Sequence, residues 1–70
     1  MSKFWAGSAP IECDVCRRPI LVVFIDGATK SGPWANMDPA CHQRIGVGLG
    51  IGKGQRYEMQ PDGRWLNTWW

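Results

Sequence analysis

The stretch "NMDPACH", residues 36–42, decides how this chain is expected to fold. It places an aspartate, a cysteine and a histidine close together, and it lies downstream of a second motif, "CDVC", residues 13–16. A Cys-x-x-Cys turn offers two thiolates from one tight loop, while Asp38 and Cys41, three apart at a helix start, face the same side. Zinc takes four tetrahedral ligands and prefers thiolates in structural sites. The two motifs together predict one zinc site that joins both parts of the chain.

The predicted thiolate ligands are the three cysteines, Cys13, Cys16 and Cys41. The fourth ligand is open between Asp38 and His42. Asp38 stands where a second Cys-x-x-Cys pair would begin, but an aspartate before proline is also a typical helix N-cap. His42 is the softer donor, although it lies about 100° around the helix from Cys41. The remaining alternatives are a site completed by water and a pair of small buried cysteines without metal.

Size and cysteine count favour such a metal site. Seventy residues make one domain with a small core, which usually needs a disulfide, a metal or a partner for stability. Three cysteines leave one unpaired, which argues against a disulfide framework and for metal binding in a reducing compartment. We divide the chain into an N-terminal arm, residues 1–10, and a single zinc-finger-like domain, residues 11–70. Phe4 and Trp5 of the arm are expected to pack onto the domain.

The order of the predicted elements defines the fold class. The run "ILVVFI", residues 20–25, predicts a strand, and Asp26-Gly27 predicts a hairpin turn directly after it. A helix of about two turns is expected from the N-cap Asp38 to Gly46. A second hairpin is expected to turn at residues 61–63, "PDG". The sequence therefore predicts a small metal-stabilised α+β fold, a treble-clef-like zinc finger with β-hairpins and one short helix.

Two further features concern packing. Residues 46–54, "GVGLGIGKG", place glycine at every second position and match neither a P-loop nor a dinucleotide fingerprint. We expect a loop that packs over the core; the alternative is a loop that binds a ligand or nucleic acid through backbone N–H groups with Lys53 and Arg56. Trp34 and Trp65 are expected in the core.

Four segments of the chain resemble a group of small bacteriophage proteins of unassigned role. They are "CDVCRRPI", "FIDGATKSGPWANM", "CHQRIGVGLGIGKGQRY" and "DGRW", and they cover most of residues 13–65. The resemblance implies a phage origin and a zinc-finger-like protein, without implying a known activity. In the phage group the second motif resembles a complete Cys-x-x-Cys half-site, and here Asp38 replaces its first cysteine.

Two functions from different classes follow as expectations. The first is a protein-interaction module that modulates a host or phage protein; the second is a nucleic-acid-binding zinc finger that contacts DNA or RNA through a basic face. The predicted contact residues are Arg17, Arg18, Arg44, Lys53, Arg56, Trp69 and Trp70. The formal charge of +2 is small for a dedicated nucleic-acid binder. The single histidine has no second acid placed beside it by the sequence, so we expect no enzyme activity.

The expected location is the cytoplasm of an infected bacterium. The N-terminus carries no continuous apolar segment of the kind found in secretory signals. The longest apolar run, residues 20–25, is far shorter than the roughly 20 residues that a membrane helix needs.

Overall fold

A computed structural model of the chain describes residues 3–68 and shows a four-stranded antiparallel sheet with one short helix. The strand order across the sheet is β2-β1-β3-β4. The elements in chain order are β1 (Val23–Ala28), β2 (Trp34–Met37), α1 (Pro39–Ile45), β3 (Gly54–Met59) and β4 (Trp65–Asn67). The α+β class and the single short helix are therefore as predicted. Within residues 3–68, no helix is long and apolar enough to span a bilayer.

The first hairpin turns later than predicted. Asp26 and Gly27 lie inside β1, where Asp26 pairs with Asn36 of β2 and Gln55 of β3. The chain reverses over residues 29–33, where the backbone N–H of Thr29 donates to the carbonyl oxygen of Pro33 at 3.0 Å. The Asp-Gly turn prediction was wrong because these two residues are held in a strand by partners on both sides.

Gly27 is needed in β1 for a close approach between strands. A Cβ atom at this position would lie 2.9 Å from the carbonyl oxygen of Lys53 and 3.0 Å from the Cα of Gly54. Both contacts are with backbone, which cannot rotate away as a side chain would. The glycine that suggested a turn is therefore explained by packing against the start of β3.

We expect Gly27→Ala to destabilise the fold by about 2 kcal/mol, because the new methyl group must push β1 away from β3. The measurement is the free energy of unfolding from a denaturant titration of the chain. Lys30→Ala, at an exposed position in the turn, serves as control and should change the stability by less than about 0.5 kcal/mol. Equal stability of the two variants would contradict the close approach.

Helix α1 begins and ends where the sequence predicts. Asp38 is the N-cap in an extended backbone conformation (φ −72°, ψ 163°), and Pro39 occupies the first turn. At the other end the N–H of Gly46 donates to the carbonyl oxygen of His42 at 2.8 Å. The cap thus fixes the orientation of the residues at the start of α1, including Cys41.

Aromatic side chains form the core on one side of the sheet. Phe24 is fully buried, with ring centroids 5.2 Å from Trp5 and Tyr57 and 5.0 Å from Trp65. Trp65 is buried as predicted. The prediction for Trp34 was wrong: its side chain is 53% exposed, and its Nε1–H donates to Asp26 Oδ1 at 2.7 Å. Trp34 begins the edge strand β2, where no described element covers it.

The N-terminal arm lies along the outer edge of β4. Phe4 forms a β-bridge with Leu66, and the N–H of Trp5 donates to the carbonyl oxygen of Trp65 at 2.9 Å. The second hairpin turns over residues 60–64, where the N–H of Gln60 donates to the carbonyl oxygen of Arg64 at 2.7 Å. This turn contains the predicted "PDG" sequence.

The glycine-rich segment, residues 46–54, is a series of turns rather than an extended strand. Gly48, Gly50 and Gly52 have positive φ angles, a backbone conformation that residues with a side chain rarely adopt. The N–H of Ala28 donates to the carbonyl oxygen of Lys53 at 2.8 Å, and that of Val47 lies 3.3 Å from the carbonyl oxygen of Ala28. The segment therefore packs over the end of β1, as expected for a packing loop.

Candidate metal centre

Four side chains converge between the first Cys-x-x-Cys turn and the start of α1. One possible ligand atom from each lies within 4.8 Å of all the others, so the group could hold a metal ion. In a tetrahedral site with Zn–S bonds of about 2.3 Å, neighbouring sulfur atoms stand about 3.8 Å apart. The four atoms therefore need to move inward by only a small distance to bind one ion. The residues are Cys13, Cys16, Asp38 and Cys41.

The first two cysteines lie on a tight turn. The N–H of Arg17 donates to the carbonyl oxygen of Cys13 at 3.0 Å, which closes the turn. The N–H of Val15 points toward Cys13 Sγ at 3.4 Å. Arg17 has a positive φ of 66°, an uncommon conformation for a residue with a side chain. The turn thereby directs both sulfur atoms to one side.

A pair of hydrogen bonds fixes this turn to the edge of the sheet. The N–H of Asp14 donates to the carbonyl oxygen of Asn36 at 2.8 Å, and the N–H of Asn36 donates to Asp14 Oδ2 at 2.8 Å. Since Asn36 comes two residues before Asp38, the contact brings the turn to the start of α1. The role of Asp14 could not be predicted from the sequence, because a pairing between residues so far apart leaves no local signal.

Asp38 uses its two carboxylate oxygens for two purposes. Oδ1 accepts the N–H of Cys41 at 2.7 Å, which is the N-cap hydrogen bond. Oδ2 accepts the thiol of Cys16 at 3.0 Å and therefore points into the cluster. A metal ion would take the place of that thiol proton. The cap and the ligand are thus compatible functions of the same residue.

The hydrogen bonds and burial set the pKa of each group. The backbone N–H of Cys41, followed by the Cys16 thiol, holds the pKa of the Asp38 carboxyl below its ordinary value. The hydrogen bond to Asp38 raises the pKa of Cys16, and burial raises the pKa of Cys41 to about 12. For Cys13, burial favours the neutral thiol, but hydrogen bonds from backbone N–H groups outweigh it and lower the pKa. A bound divalent cation would favour the thiolate at all three cysteines.

His42 lies outside this cluster. Its Nε2 is 3.0 Å from the carbonyl oxygen of Gly48, so the ring links α1 to the glycine-rich segment. Gly46 has no room for a side chain, because a Cβ there would lie 2.2 Å from Cδ2 of the His42 ring. Of the two candidate fourth ligands, the structure places Asp38 among the donor groups.

The predicted basic contact residues lie in two kinds of environment: some are beside the cluster, and others are in ion pairs. Arg44 lies beside the cluster, with Nη2 3.5 Å from Cys41 Sγ, and the charge of Arg18 contributes to the lowered pKa of Asp38. Arg17 forms an ion pair with Glu12 at 3.1 Å, and Arg56 forms one with Glu58 and also donates to Thr68 Oγ1. Two of the predicted contact cations are therefore each paired with a carboxylate at the surface of the chain.

The other predicted contact residues are Lys53, Trp69 and Trp70. Lys53 belongs to the glycine-rich segment, where its backbone rather than its charge makes the contact with β1. Trp69 and Trp70 lie outside the described residues 3–68.

The fold and the site together define a small antiparallel α+β domain with a candidate metal centre of three cysteines and one aspartate. Comparisons with protein-family models, with curated proteins and with solved structures gave no match to this chain. Its function is therefore inferred from its own residues.

Proposed function

We propose that the chain is a treble-clef-like zinc finger in which Cys13, Cys16, Asp38 and Cys41 hold one zinc ion. The observation that carries this proposal is the convergence of the four donor atoms within 4.8 Å. The order of elements supports it: a Cys-x-x-Cys turn, the β1–β2 hairpin, and a helix whose first turn brings the other two ligands. Three thiolates and a carboxylate suit zinc, which accepts sulfur and oxygen donors in a tetrahedron.

The zinc ion has a structural role in this proposal. Four protein ligands complete the tetrahedron and leave no open position for a reactive water molecule, as a catalytic zinc would need. Two of the three cysteines, Cys13 and Cys41, are also part of a small core cluster with Met37, packed against Ala35 and Ile45. The ion would therefore join the turn, β2 and α1 into one unit.

Native mass spectrometry of the chain, purified without chelator, tests the metal. We expect one zinc ion per chain. Replacement by cobalt(II) should give the strong visible absorption of a tetrahedral thiolate site. A chain that carries no metal and takes none up on addition of zinc would overturn the proposal.

We further propose that the domain acts as a protein-interaction module that modulates a host or phage protein in the cytoplasm of an infected bacterium. Support comes from four exposed apolar residues on neighbouring segments, here called the apolar patch: Ile11, Leu21, Val22 and Met59. Backbone hydrogen bonds bring these segments together, from Ile20 to Ile11 at 3.0 Å and from Met59 to Val22 at 2.8 Å. Grouped apolar side chains on a small surface are typical of protein contact sites.

Ile11→Ser should weaken binding of the partner by about tenfold, because it replaces the most exposed side chain of the apolar patch with a polar one. Ile51→Ser is the matched control: both isoleucines are 80% exposed, but Ile51 lies on the glycine-rich segment. The measurement is quantitative capture of the partner from a nuclease-treated bacterial lysate. Equal capture by both variants would exclude the apolar patch as the contact surface.

Nucleic-acid binding is the second candidate, and the observation in its favour is the position of Arg18 and Arg44 beside the metal centre. The ion pairs of Arg17 and Arg56 reduce the positive charge available for phosphates. We therefore expect little affinity for DNA or RNA even at low salt, where phosphate contacts are strongest. Tight binding that weakens steeply with salt would favour this second candidate.

A further inference from the structure

We infer that Cys16 is the site at which a hydroperoxide attacks the metal centre, and that Cys13 then joins it in a disulfide that expels the metal. The inference rests on the zinc site proposed above and adds a modification site to it. The structure supports it through the unequal exposure of the three cysteines and through their positions on different elements.

Exposure distinguishes Cys16 from the other two cysteines. Cys13 is 0% exposed and Cys41 is 2% exposed, whereas Cys16 is the one cysteine of the three that is not buried. A peroxide must reach the sulfur atom directly, so accessibility selects which thiolate is oxidised first. Bound zinc keeps a cysteine in the thiolate form, which is the reactive form. The thiolate of Cys16, the least buried of the three cysteines, is therefore the expected point of attack.

Position then favours Cys13 over Cys41 as the second cysteine. Cys13 and Cys16 share one turn, closed by the hydrogen bond from Arg17 to Cys13 and fixed to β2 through Asp14. Their sulfur atoms start within 4.8 Å and must reach about 2.05 Å to form the bond. Cys41 belongs to a different element, α1. Once the metal loosens, the pair within the turn remains together.

The chemistry balances with hydrogen peroxide as the oxidant. The Cys16 thiolate attacks one peroxide oxygen, an S–O bond forms, the O–O bond breaks and hydroxide leaves. Cys16 is oxidised to a sulfenic acid and the peroxide is reduced. The Cys13 thiolate then attacks the Cys16 sulfur, an S–S bond forms, the S–O bond breaks and a second hydroxide leaves. Only Cys41 and Asp38 then remain as ligands among the four, and the zinc ion departs into water.

The test uses the zinc-loaded full chain and limiting hydrogen peroxide. We expect loss of one zinc ion for each peroxide consumed, measured with a colorimetric zinc indicator. Peptide mass spectrometry should find a Cys13–Cys16 disulfide with Cys41 still a free thiol. With a cyclic 1,3-dione present to trap sulfenic acid, the adduct should lie on Cys16. Thiol reductant and fresh zinc should restore the loaded chain.

Several results would overturn the inference. They are retention of zinc with intact thiols in excess peroxide, a first adduct on Cys13 or Cys41, and a disulfide that includes Cys41. The denatured, zinc-free chain is the control, in which the three cysteines should react alike; an equal preference for Cys16 there would contradict the role of the fold. A chain that binds no zinc before peroxide is added would overturn the proposed function itself, so the two failures are distinguishable.

Discussion

Removal of zinc should unfold most of this chain at neutral pH. Binding of zinc to small structural sites contributes about 10–16 kcal/mol, whereas a core of this size supplies only about 3–5 kcal/mol without such help. The far-ultraviolet and near-ultraviolet circular dichroism of the loaded chain should both decrease when a strong chelator is added. The cooperative thermal transition should also disappear.

The effect should be largest around the metal centre. α1 has seven residues, too few for a stable helix in water without tertiary contacts. The three cysteines form no disulfide, so no covalent bond replaces the metal. The aromatic core around Phe24 lies on the other side of the sheet and does not depend on the ligands directly. Unfolding of α1 should therefore precede exposure of the buried Trp65 side chain to solvent.

The control for this experiment is chelator that has been saturated with zinc beforehand, which should leave the spectrum unchanged. Addition of excess zinc to the stripped chain should restore the original spectrum and thermal transition. If the stripped chain melts at the same temperature as the loaded chain, the metal has no structural role.

The helix and the second hairpin could be predicted because their signals are local. An aspartate before proline and a glycine after the last turn define α1, and the sequence "PDG" defines the turn before β4. The first hairpin could not be placed in this way. Gly27 is required by its contact with Gly54 far along the chain, and a rule based on adjacent residues cannot include that contact.

The convergence of the three cysteines could be predicted from the sequence, but the choice of the fourth residue in the cluster could not. Spacing alone leaves two candidates for the fourth ligand: Asp38, three residues before Cys41, and His42, the residue directly after it. The choice depends on the direction of each side chain: Asp38 Oδ2 points at Cys16, and His42 points at Gly48. Likewise, the ion pairs of Arg17 with Glu12 and of Arg56 with Glu58 depend on side-chain conformation, which the sequence does not give.

The two functions of Asp38 should separate in two substitutions. Asp38→Asn keeps an N-cap of equal quality but replaces the carboxylate with a neutral amide oxygen. Loss of a residue that only hydrogen-bonds to a metal ligand lowers metal affinity roughly 10–100-fold. Because Asp38 would itself be a ligand, the zinc affinity of Asp38→Asn should fall by more than that. Asp38→Cys adds a fourth thiolate and should raise the affinity, while loss of the cap should destabilise α1 by about 1 kcal/mol. Competition with a zinc-binding dye measures the affinity, and denaturant titration measures the stability.

His42→Ala is the matched control for these substitutions, because His42 is the other candidate for the fourth ligand and lies on the same turn of α1. Its Nε2 contacts the Gly48 carbonyl oxygen, so the change should loosen the glycine-rich segment and leave zinc affinity nearly unchanged. Cobalt-loaded Asp38→Cys should absorb more strongly in the thiolate charge-transfer region, because it has one more sulfur ligand, whereas His42→Ala should retain the wild-type spectrum. If Asp38→Asn binds zinc as tightly as wild type and His42→Ala does not, then the imidazole completes the site and Asp38 serves only as the cap of α1.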